Sequence, residues 1–505
     1  MHVRSTRLIP AALAAALCCA PAAHASTTQE SLVEDELQML QAGPVARERA
    51  LDDVVALGAD GVRALVPWRD VAPAPTARAR PAGFDPADPS AYPAARWDRL
   101  DDLVRGVRAR GLALLLSPST PIPAWASRCG GSVHKRSLCR PRARQYGAFL
   151  RALGARYSGA YADENQRRGV LPRVARWSFS NEPNQPGWLR PQFARRRGVA
   201  YPAAAVTYRA MVRAGLRGLR ATGHGADQTL LGETSPIGRL TGRLATRPVP
   251  PAAFIRTLLC IDAAGRALRG RAARRAGCRR FAPLRVTGFA HHPYTRGGSK
   301  PPLTRGEPAT EITISSKGRL TRLLDAGGRH RRIPAGLPIH YTEYGFQTNP
   351  PDLLFGVPPA RQAEYMNQSD WIAYRDPRIR TVGQYKLVDD TVVSSFQSGL
   401  RSRDGIAKPA YDAYRLPLWI TRKGAARLRV YGQVRPLAAG ARARVELQNA
   451  AFGGGEFRTV ATIAVRSVNG TFLTTVPRRE GRWRLRWTPP AGEPLPSRAA
   501  VLAAR

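Results

Sequence analysis

The 505-residue sequence contains few cysteines and few acidic side chains, and its long apolar run is confined to the N-terminus. Beyond residue 25 no stretch is apolar enough to cross a membrane, so we expect no membrane partner. The cysteine spacing does not fit a zinc site, because no Cys-x-x-Cys pair occurs, and we expect neither a metal nor a cofactor. A platform of interleaved basic and aromatic residues, typical of proteins that bind single-stranded nucleic acid, is missing too.

The shortage of acidic residues leaves a strongly basic chain. There are 79 lysines and arginines against 36 aspartates and glutamates, which gives a formal net charge of +43. Without residues 1–25, which contain Arg4 and Arg7, the charge is +41. Such a balance is compatible with nucleic acid or acidic polysaccharide. Arginine is nevertheless scattered over every segment beside alanine, glycine and proline, as a GC-rich bacterial genome produces. We therefore expect no nucleic-acid partner.

The N-terminus has the pattern of a secretory signal peptide. Two arginines precede an Ala/Leu-rich core at 8–20, which is too short to span a bilayer, and 23–25 reads Ala-His-Ala, a small-x-small cleavage pattern. Cys18 suggests a lipoprotein, but Leu17 precedes it where a small residue is expected. We predict that residues 1–25 are removed and that the protein is secreted by a bacterium as a soluble monomer.

Four cysteines remain after the leader: Cys129, Cys139, Cys260 and Cys278. An even number in an exported chain indicates disulfide bonds, and four cysteines allow three pairings. We favour Cys129 with Cys139 and Cys260 with Cys278, because each pair lies within one connecting segment.

From residue 31 to 418 apolar strand patterns alternate with helical periodicity. The predicted strands are 31–40, 61–68, 112–116, 174–180, 230–234, 286–294, 337–345 and 381–385. The predicted helices are 46–57, 97–110, 144–157, 204–221, 252–260, 317–324, 361–374 and 408–418. Eight strand-helix units of this length predict an α/β fold, a (β/α)8 TIM barrel over residues 26–420.

After about residue 422 the apolar pattern changes to period two. Candidate strands at 427–433, 442–448, 457–465, 471–476 and 482–487 are separated by Gly and Pro clusters. We predict a small all-β sandwich domain over residues 421–505. Such a module either binds carbohydrate or packs against the barrel, and its few exposed aromatics favour packing.

Two predicted strands end in a glutamate. The fourth runs into Asn181-Glu182-Pro183, and the seventh ends in Thr342-Glu343 followed by Tyr-Gly. Proline stops regular pairing, so Glu182 is expected at the carboxyl-terminal tip of its strand, the rim where barrel enzymes carry out chemistry. Two carboxyls at two strand tips suit a glycosidase, which needs one protonated acid and one ionised carboxylate.

These two motifs resemble the fourth- and seventh-strand motifs of clan A retaining glycoside hydrolases, and the cellulase-like family 5 and family 39 are the most similar. The resemblance implies that Glu182 is the acid/base and Glu343 the nucleophile. It implies a hydrolase that cleaves O-glycosidic, β-configured bonds in polysaccharides or oligosaccharides by double displacement. The alternative is a catalytically silent carbohydrate-binding or cell-envelope protein on the same barrel.

The resemblance also implies roles for residues around the two glutamates. Asn181 would bond the sugar 2-hydroxyl, and Arg63 on the second strand would keep the nucleophile ionised. His292 and Tyr294 match the sixth-strand His-x-Tyr of the family, whose tyrosine bonds the nucleophile. His291 has no such match, and we interpret it as an ordinary core residue.

Aromatic side chains are candidates for stacking on sugar rings. Trp188, which follows the acid motif, is the first choice; Trp68 and Trp125 are further candidates, and Trp177 is expected in the core. Family 5 commonly has a tryptophan at the end of the eighth strand, where this chain has Tyr385, so Tyr385 is the candidate substitute.

Two further positions bear on the site. Glu233 ends the fifth strand and is a third carboxylate at the rim, either in contact with substrate or held in a salt bridge. Family 5 tends to have a histidine on the third strand, where this chain reads Ser117-Pro118. The substrate therefore does not follow from the family.

Overall fold

The computed structural model describes residues 26, 28–437, 440–490 and 492–502, so the predicted signal peptide lies outside the described residues. Eight parallel strands close into a barrel, as predicted, with β8 pairing with β1. The barrel strands are β1 (Glu30–Glu34), β2 (Gly61–Pro67), β3 (Ala113–Ser119), β4 (Arg176–Ser178), β5 (Gln228–Thr234), β6 (Gly288–His291), β7 (Ile339–Tyr344) and β8 (Ile379–Tyr385).

One longer helix follows each barrel strand. These helices are α1 (Pro44–Leu57), α2 (Asp98–Ala109), α3 (Ala143–Arg156), α4 (Ala203–Arg220), α5 (Pro251–Leu259), α6 (Lys317–Arg329), α7 (Pro359–Tyr374) and α8 (Pro409–Arg415). Shorter pieces lie in the connections: helical turns Trp68–Val71, Pro89–Ala91, Ala94–Arg96, Ala124–Ala126, Val133–Leu138, Gly270–Arg275 and Ile314–Ser316, and a ribbon of Phe193–Arg196 with Val199–Pro202. No helix in the described ranges is long and apolar enough to cross a membrane.

The apolar periodicity of the helices places their buried faces. In α2 the residues Leu100, Leu103, Val104 and Val107 are buried, at the i, i+3, i+4, i+7 spacing of one helix face. They belong to a single large core that surrounds the barrel. A smaller cluster of Leu32, Leu115, Leu230 and Ala290, contributed by barrel strands, fills the interior below the site described next.

The first strand is shorter than the predicted 31–40. It ends at Glu34, and Leu37–Gln41 forms a turn of π-helix instead. The cause is the buried Asp35, whose carboxylate accepts backbone N–H bonds from Gln38, Leu387 and Val388. Asp35 can accept these three hydrogen bonds only if the backbone stops pairing with the neighbouring strands after Glu34.

Two other strands are also shorter than predicted. The stretch 286–294 pairs only over Gly288–His291, and 174–180 only over Arg176–Ser178. Pro293 follows the first of them closely, and a proline cannot donate to a sheet hydrogen bond. The second leaves the sheet before Ser180, which has a left-handed φ of +57°.

Both predicted disulfides are present. Cys129 bonds Cys139 in the connection between β3 and α3, and Cys260 bonds Cys278 between α5 and β6. Each bond therefore ties down one connecting segment of the barrel.

The C-terminal region is an all-β sandwich, as predicted. Its strands are β9 (Leu418–Lys423), β10 (Arg427–Gln433), β11 (Ala443–Ala450), β12 (Arg458–Val465), β13 (Thr471–Pro477), β14 (Gly481–Trp487), β15 (Leu495–Pro496) and β16 (Ala500–Leu502). One sheet has the order β9-β10-β13, and the other has the order β12-β11-β14-β15 with β16 on β14. Val430, Val445 and Trp483 share one buried core between the sheets.

Candidate active site

The fourth strand delivers its glutamate through a strained turn. Ser180 and Glu182 have φ of +57° and +34°, the left-handed region that residues other than glycine rarely adopt. The backbone N–H of the intervening Asn181 donates to Ser119 Oγ at 2.9 Å, which ties the turn to the end of β3. Strain of this kind, held by neighbouring bonds, is common at functional sites.

The side chains of Glu182, His292 and Glu343 lie close together at the mouth of the barrel. A carboxylate oxygen of Glu182, a ring nitrogen of His292 and a carboxylate oxygen of Glu343 all lie within 4.8 Å of one another. Glu343 also accepts a hydrogen bond of 2.9 Å from the hydroxyl of Tyr294. The tips of β4, β6 and β7 thus converge on one small volume.

Arg63 lies below these groups with its side chain fully buried. Its Nη2 donates to Asn181 Oδ1 at 2.7 Å and to Glu233 Oε2 at 2.5 Å. Its Nη1 donates to Glu34, and it lies 3.4 Å from Glu343 Oε2. One guanidinium therefore organises a buried group of three carboxylates and an amide.

A bulge in β5 aims Glu233 into this network. The pairing of β5 with β6 shifts register between Gly232 and Thr234, and Glu233 has φ of +50°. Glu233 is completely buried and ion-paired with Arg63 and His292. The salt bridge expected as one role of Glu233 is therefore present.

His292 bridges three carboxylates. Its Nδ1 lies 3.2 Å from Glu182 Oε1 and 3.4 Å from Glu343 Oε2, and its Nε2 lies 3.0 Å from Glu233 Oε2. Burial lowers the pKa of His292, but Glu343 and the bonds to Glu182 and Glu233 outweigh it and raise the pKa to about 9. His292 is therefore a second cation in the site at neutral pH.

The carboxyls differ in their electrostatic environments. Burial raises the pKa of Glu182, and the charge of Glu343 adds to this, while His292 acts in the opposite direction. Burial also raises the pKa of Glu233, but Arg63 and His292 together lower it to about 2. The site thus keeps the buried Glu233 ionised and favours a proton on Glu182, which borders the cavity.

The three atoms of Glu182, His292 and Glu343 are spaced as metal ligands would be. The donor set does not suit a cation, however. His292 carries a proton at neutral pH, and the Arg63 guanidinium already supplies positive charge 3.4 Å from Glu343.

The site opens into a cavity of about 770 Å³. Asn181, Glu182, Glu343, Trp188 and Tyr385 all line it. Further lining residues, not singled out from the sequence, are Glu34, Glu36, Lys386, Asp390 and Phe396.

The sequence-derived candidates for sugar stacking divide into two groups. Trp188 and Tyr385 border the cavity, and the Tyr385 ring meets Phe396 edge-on at 5.0 Å. The expectation for Trp68 and Trp125 is wrong, because both are buried in an aromatic cluster, with Trp68 stacked on Phe149. Trp177 is in the core, as expected.

His291, interpreted as an ordinary core residue, is buried one position before His292. It bonds Thr234 Oγ1 and the carbonyl oxygen of Ile312, both at 2.8 Å, away from the two glutamates.

Glu34 is the residue that sequence reasoning missed. It is the last residue of β1, it is paired in register with Arg63, and its side chain is ion-paired with that arginine. The sequence placed Glu34 inside the predicted strand 31–40, so no local signal put it at a strand end beside Arg63.

Comparisons with known proteins find no matching family model and no matching curated protein. The chain is similar to solved structures of glycoside hydrolases. Endo-glycoceramidase II from Rhodococcus sp. is 15% identical over 90% of this chain and 97% of that chain, with a TM-score of 0.41. The family 1 β-glucosidase from Thermotoga maritima is 12% identical over 77% and 96%, with a TM-score of 0.44. A GH5_18 protein from Streptomyces cattleya is 17% identical over 77% and 79%, also with a TM-score of 0.44. The closed eight-stranded barrel of this chain is itself the fold that the sequence predicts.

Proposed function

We propose that this protein is a secreted retaining glycoside hydrolase that cleaves β-glycosidic bonds in polysaccharides or oligosaccharides. The observation that carries the proposal is the pair of glutamates at the tips of β4 and β7, with carboxylate oxygens within 4.8 Å. Retaining enzymes hold their two carboxyls about 5–5.5 Å apart, whereas inverting enzymes need about 6.5–9.5 Å to admit a water. The short separation supports double displacement.

Glu182 is the general acid of the first step and the general base of the second. Its raised pKa lets it hold a proton for the leaving oxygen. Once the leaving group departs, the ionised Glu182 takes a proton from the water that hydrolyses the glycosyl-enzyme.

Glu343 is the nucleophile that attacks the anomeric carbon. Tyr294 donates to one of its oxygens, and Arg63 lies 3.4 Å from the other. These two contacts hold the carboxylate of Glu343 in place for the attack. The side-chain oxygen Oδ1 of Asn181 accepts from Arg63, so the NH2 group of the same side chain is available as a donor for the sugar 2-hydroxyl.

The disulfide bonds and the domain organisation support a secreted protein with two domains. Two disulfides are compatible with export to an oxidising compartment. We propose a removed leader over residues 1–25, a catalytic barrel over 26–420, and a C-terminal domain over 421–505 that packs on the barrel. We propose that the protein acts as a monomer.

Turnover of aryl β-glycosides by the wild type and two variants tests the proposal. Glu343→Gln is expected to lose at least about 1,000-fold in kcat, because it removes the nucleophile. Glu182→Ala is expected to lose about 10²–10⁴-fold on poor leaving groups and far less on activated aryl groups, which depart without protonation.

Added azide should restore turnover of Glu182→Ala and give a glycosyl azide of retained β configuration. Azide attacks the covalent intermediate where water lacks its base. If Glu182→Ala slows all leaving groups equally and azide has no effect, the assignment of Glu182 fails. If the wild type turns over no glycoside while it still binds oligosaccharide, the catalytically silent alternative is correct.

A further inference from the structure

Exposed apolar side chains lie on the three loops that follow β6, β7 and β8. Leu353 and Leu354 are 82% and 83% exposed, an unusual state for two consecutive leucines. They belong to a set of exposed side chains that we call the apolar rim: Leu303, Leu353, Leu354, Phe355, Val392 and Phe396.

The apolar rim is held in place by buried polar contacts. The largely buried Asp352 accepts backbone N–H bonds from Leu354 and Phe355, at 2.8 and 3.0 Å, and so fixes the turn that points the leucines outward. The loops after β7 and β8 are joined by the N–H of Thr348, which donates to the carbonyl oxygen of Gln397 at 3.0 Å. The leucines are thus displayed by an ordered turn rather than by a loose tip.

Two members of the apolar rim line the cavity. Val392 and Phe396 belong to both, and Leu37, Leu40 and Val71 are apolar side chains among the other residues that line the cavity. The apolar rim therefore meets the cavity at the loop that follows β8. Contiguous exposed apolar surface next to a polar centre marks an interaction site.

The positive charge near the apolar rim favours an anionic lipid surface over a second copy of this chain as its partner. The loop that carries Leu303 also exposes Lys300 and Arg305, and the chain without its leader has a formal net charge of +41. A second copy of this chain would bring the same basic loop against itself, which opposes association. Exposed apolar tips, one of them flanked by Lys300 and Arg305, match a lipid surface with anionic headgroups, where the apolar groups enter the acyl boundary.

We propose that the apolar rim docks on an anionic lipid surface, and that the cavity takes glycosides of amphiphilic molecules from it. Docking departs from the expectation of a protein without a membrane partner. It does not depend on the catalytic assignment, whereas the substrate class rests on the proposed function.

Sedimentation with vesicles tests the docking. The full chain is mixed with vesicles of phosphatidylcholine and phosphatidylglycerol, and the bound fraction is compared between the wild type and Leu353→Asp/Leu354→Asp. Burial of two leucines is lost in this variant, so we expect its partition coefficient to fall by about tenfold or more. The matched control is Val468→Asp, because Val468 is 64% exposed and Asn469 beside it bonds Gln29 at the opposite end of the barrel.

A second readout separates docking from catalysis. Turnover of a soluble aryl β-glycoside and the unfolding temperature should be unchanged in the Leu353→Asp/Leu354→Asp variant, whereas turnover of a long-chain alkyl β-glycoside in the same vesicles should fall with binding. The milder Leu354→Ser replaces the double variant if that variant unfolds. If the wild type binds vesicles through the apolar rim but hydrolyses no glycoside, the proposed function is wrong and the docking proposal stands.

Three results would overturn the docking proposal. The first is a wild type that does not bind the vesicles. The second is binding that the rim variant retains, since the net charge alone would then account for it. The third is a wild-type dimer in sedimentation velocity that dissociates in the rim variant without vesicle binding, which would make the rim a self-association face.

Discussion

At the scale of single residues, the site contains more negative than positive groups. Four carboxyls, those of Glu34, Glu182, Glu233 and Glu343, meet two cations, Arg63 and His292. Burial raises the pKa of both Glu34 and Glu182. Burial also raises the pKa of Glu233, but Arg63 and His292 lower it to about 2, so Glu233 is the carboxyl that stays ionised against the two cations. The raised pKa of Glu182 is the feature that its proposed role as the acid needs.

The first prediction concerns the proton on Glu182. Burial is the main reason for its raised pKa, and the charge of Glu343 is a further one. Glu343→Gln removes that charge, so the pKa of Glu182 should fall. Carbon-13 NMR titration of the labelled carboxyl measures the shift, and Glu446→Gln, in the C-terminal sandwich, serves as the control. An unchanged or higher pKa would show that the two carboxyls are not coupled.

The second prediction concerns the charge on His292. Its folded-state pKa of about 9 lies above the ordinary 6.5, so its contribution to stability is complete below pH 6.5 and is lost as the pH rises through 9. The loss amounts to at most about 3 kcal/mol. Urea unfolding at pH 6, 7.5 and 9 should show this decline in the wild type and in His134→Gln, an exposed control, but not in His292→Gln. A parallel decline in His292→Gln would exclude His292 as the source.

At the scale of elements, the strand-helix alternation predicted the barrel because a parallel strand buried on both faces must be apolar throughout. What it did not predict were the strand ends, which depend on partners distant in sequence. β1 ends at Glu34 because Asp35 bonds the backbone of Leu387 and Val388, some 350 residues away. No local pattern contains that information.

The same reasoning explains which site residues were found. Glu182 and Glu343 follow apolar strands directly, so sequence placed them at strand tips. Glu233 was predicted at the rim but lies buried, because a bulge at Gly232 turns it inward toward Arg63. Trp68 was misjudged because a tryptophan at the end of a strand can turn outward into the helix layer, as it does against Phe149.

At the scale of the whole molecule, the barrel and the C-terminal sandwich share a buried contact. Tyr431 of β10 packs on Trp371 and Tyr374 of α7, with ring centroids 5.6 and 4.7 Å apart. Next to this aromatic contact, the buried Arg435 donates to the carbonyl oxygen of Tyr414 in the barrel at 3.0 Å. The sandwich therefore covers apolar surface of the barrel, as the preference for a packing role anticipated.

The last prediction tests whether this contact stabilises the barrel itself. Tyr431→Ala removes a completely buried ring and should lower the free energy of unfolding by about 3–5 kcal/mol, as for other buried aromatics. If the two regions unfold together, calorimetry will show one transition at a lower temperature, and aryl glycoside turnover will disappear at that same temperature. Phe452→Ala, which removes a half-exposed ring elsewhere in the sandwich, should change neither. Survival of turnover to the wild-type temperature in Tyr431→Ala would mean that the barrel does not need the sandwich, and carbohydrate binding would then be the better explanation for the C-terminal region.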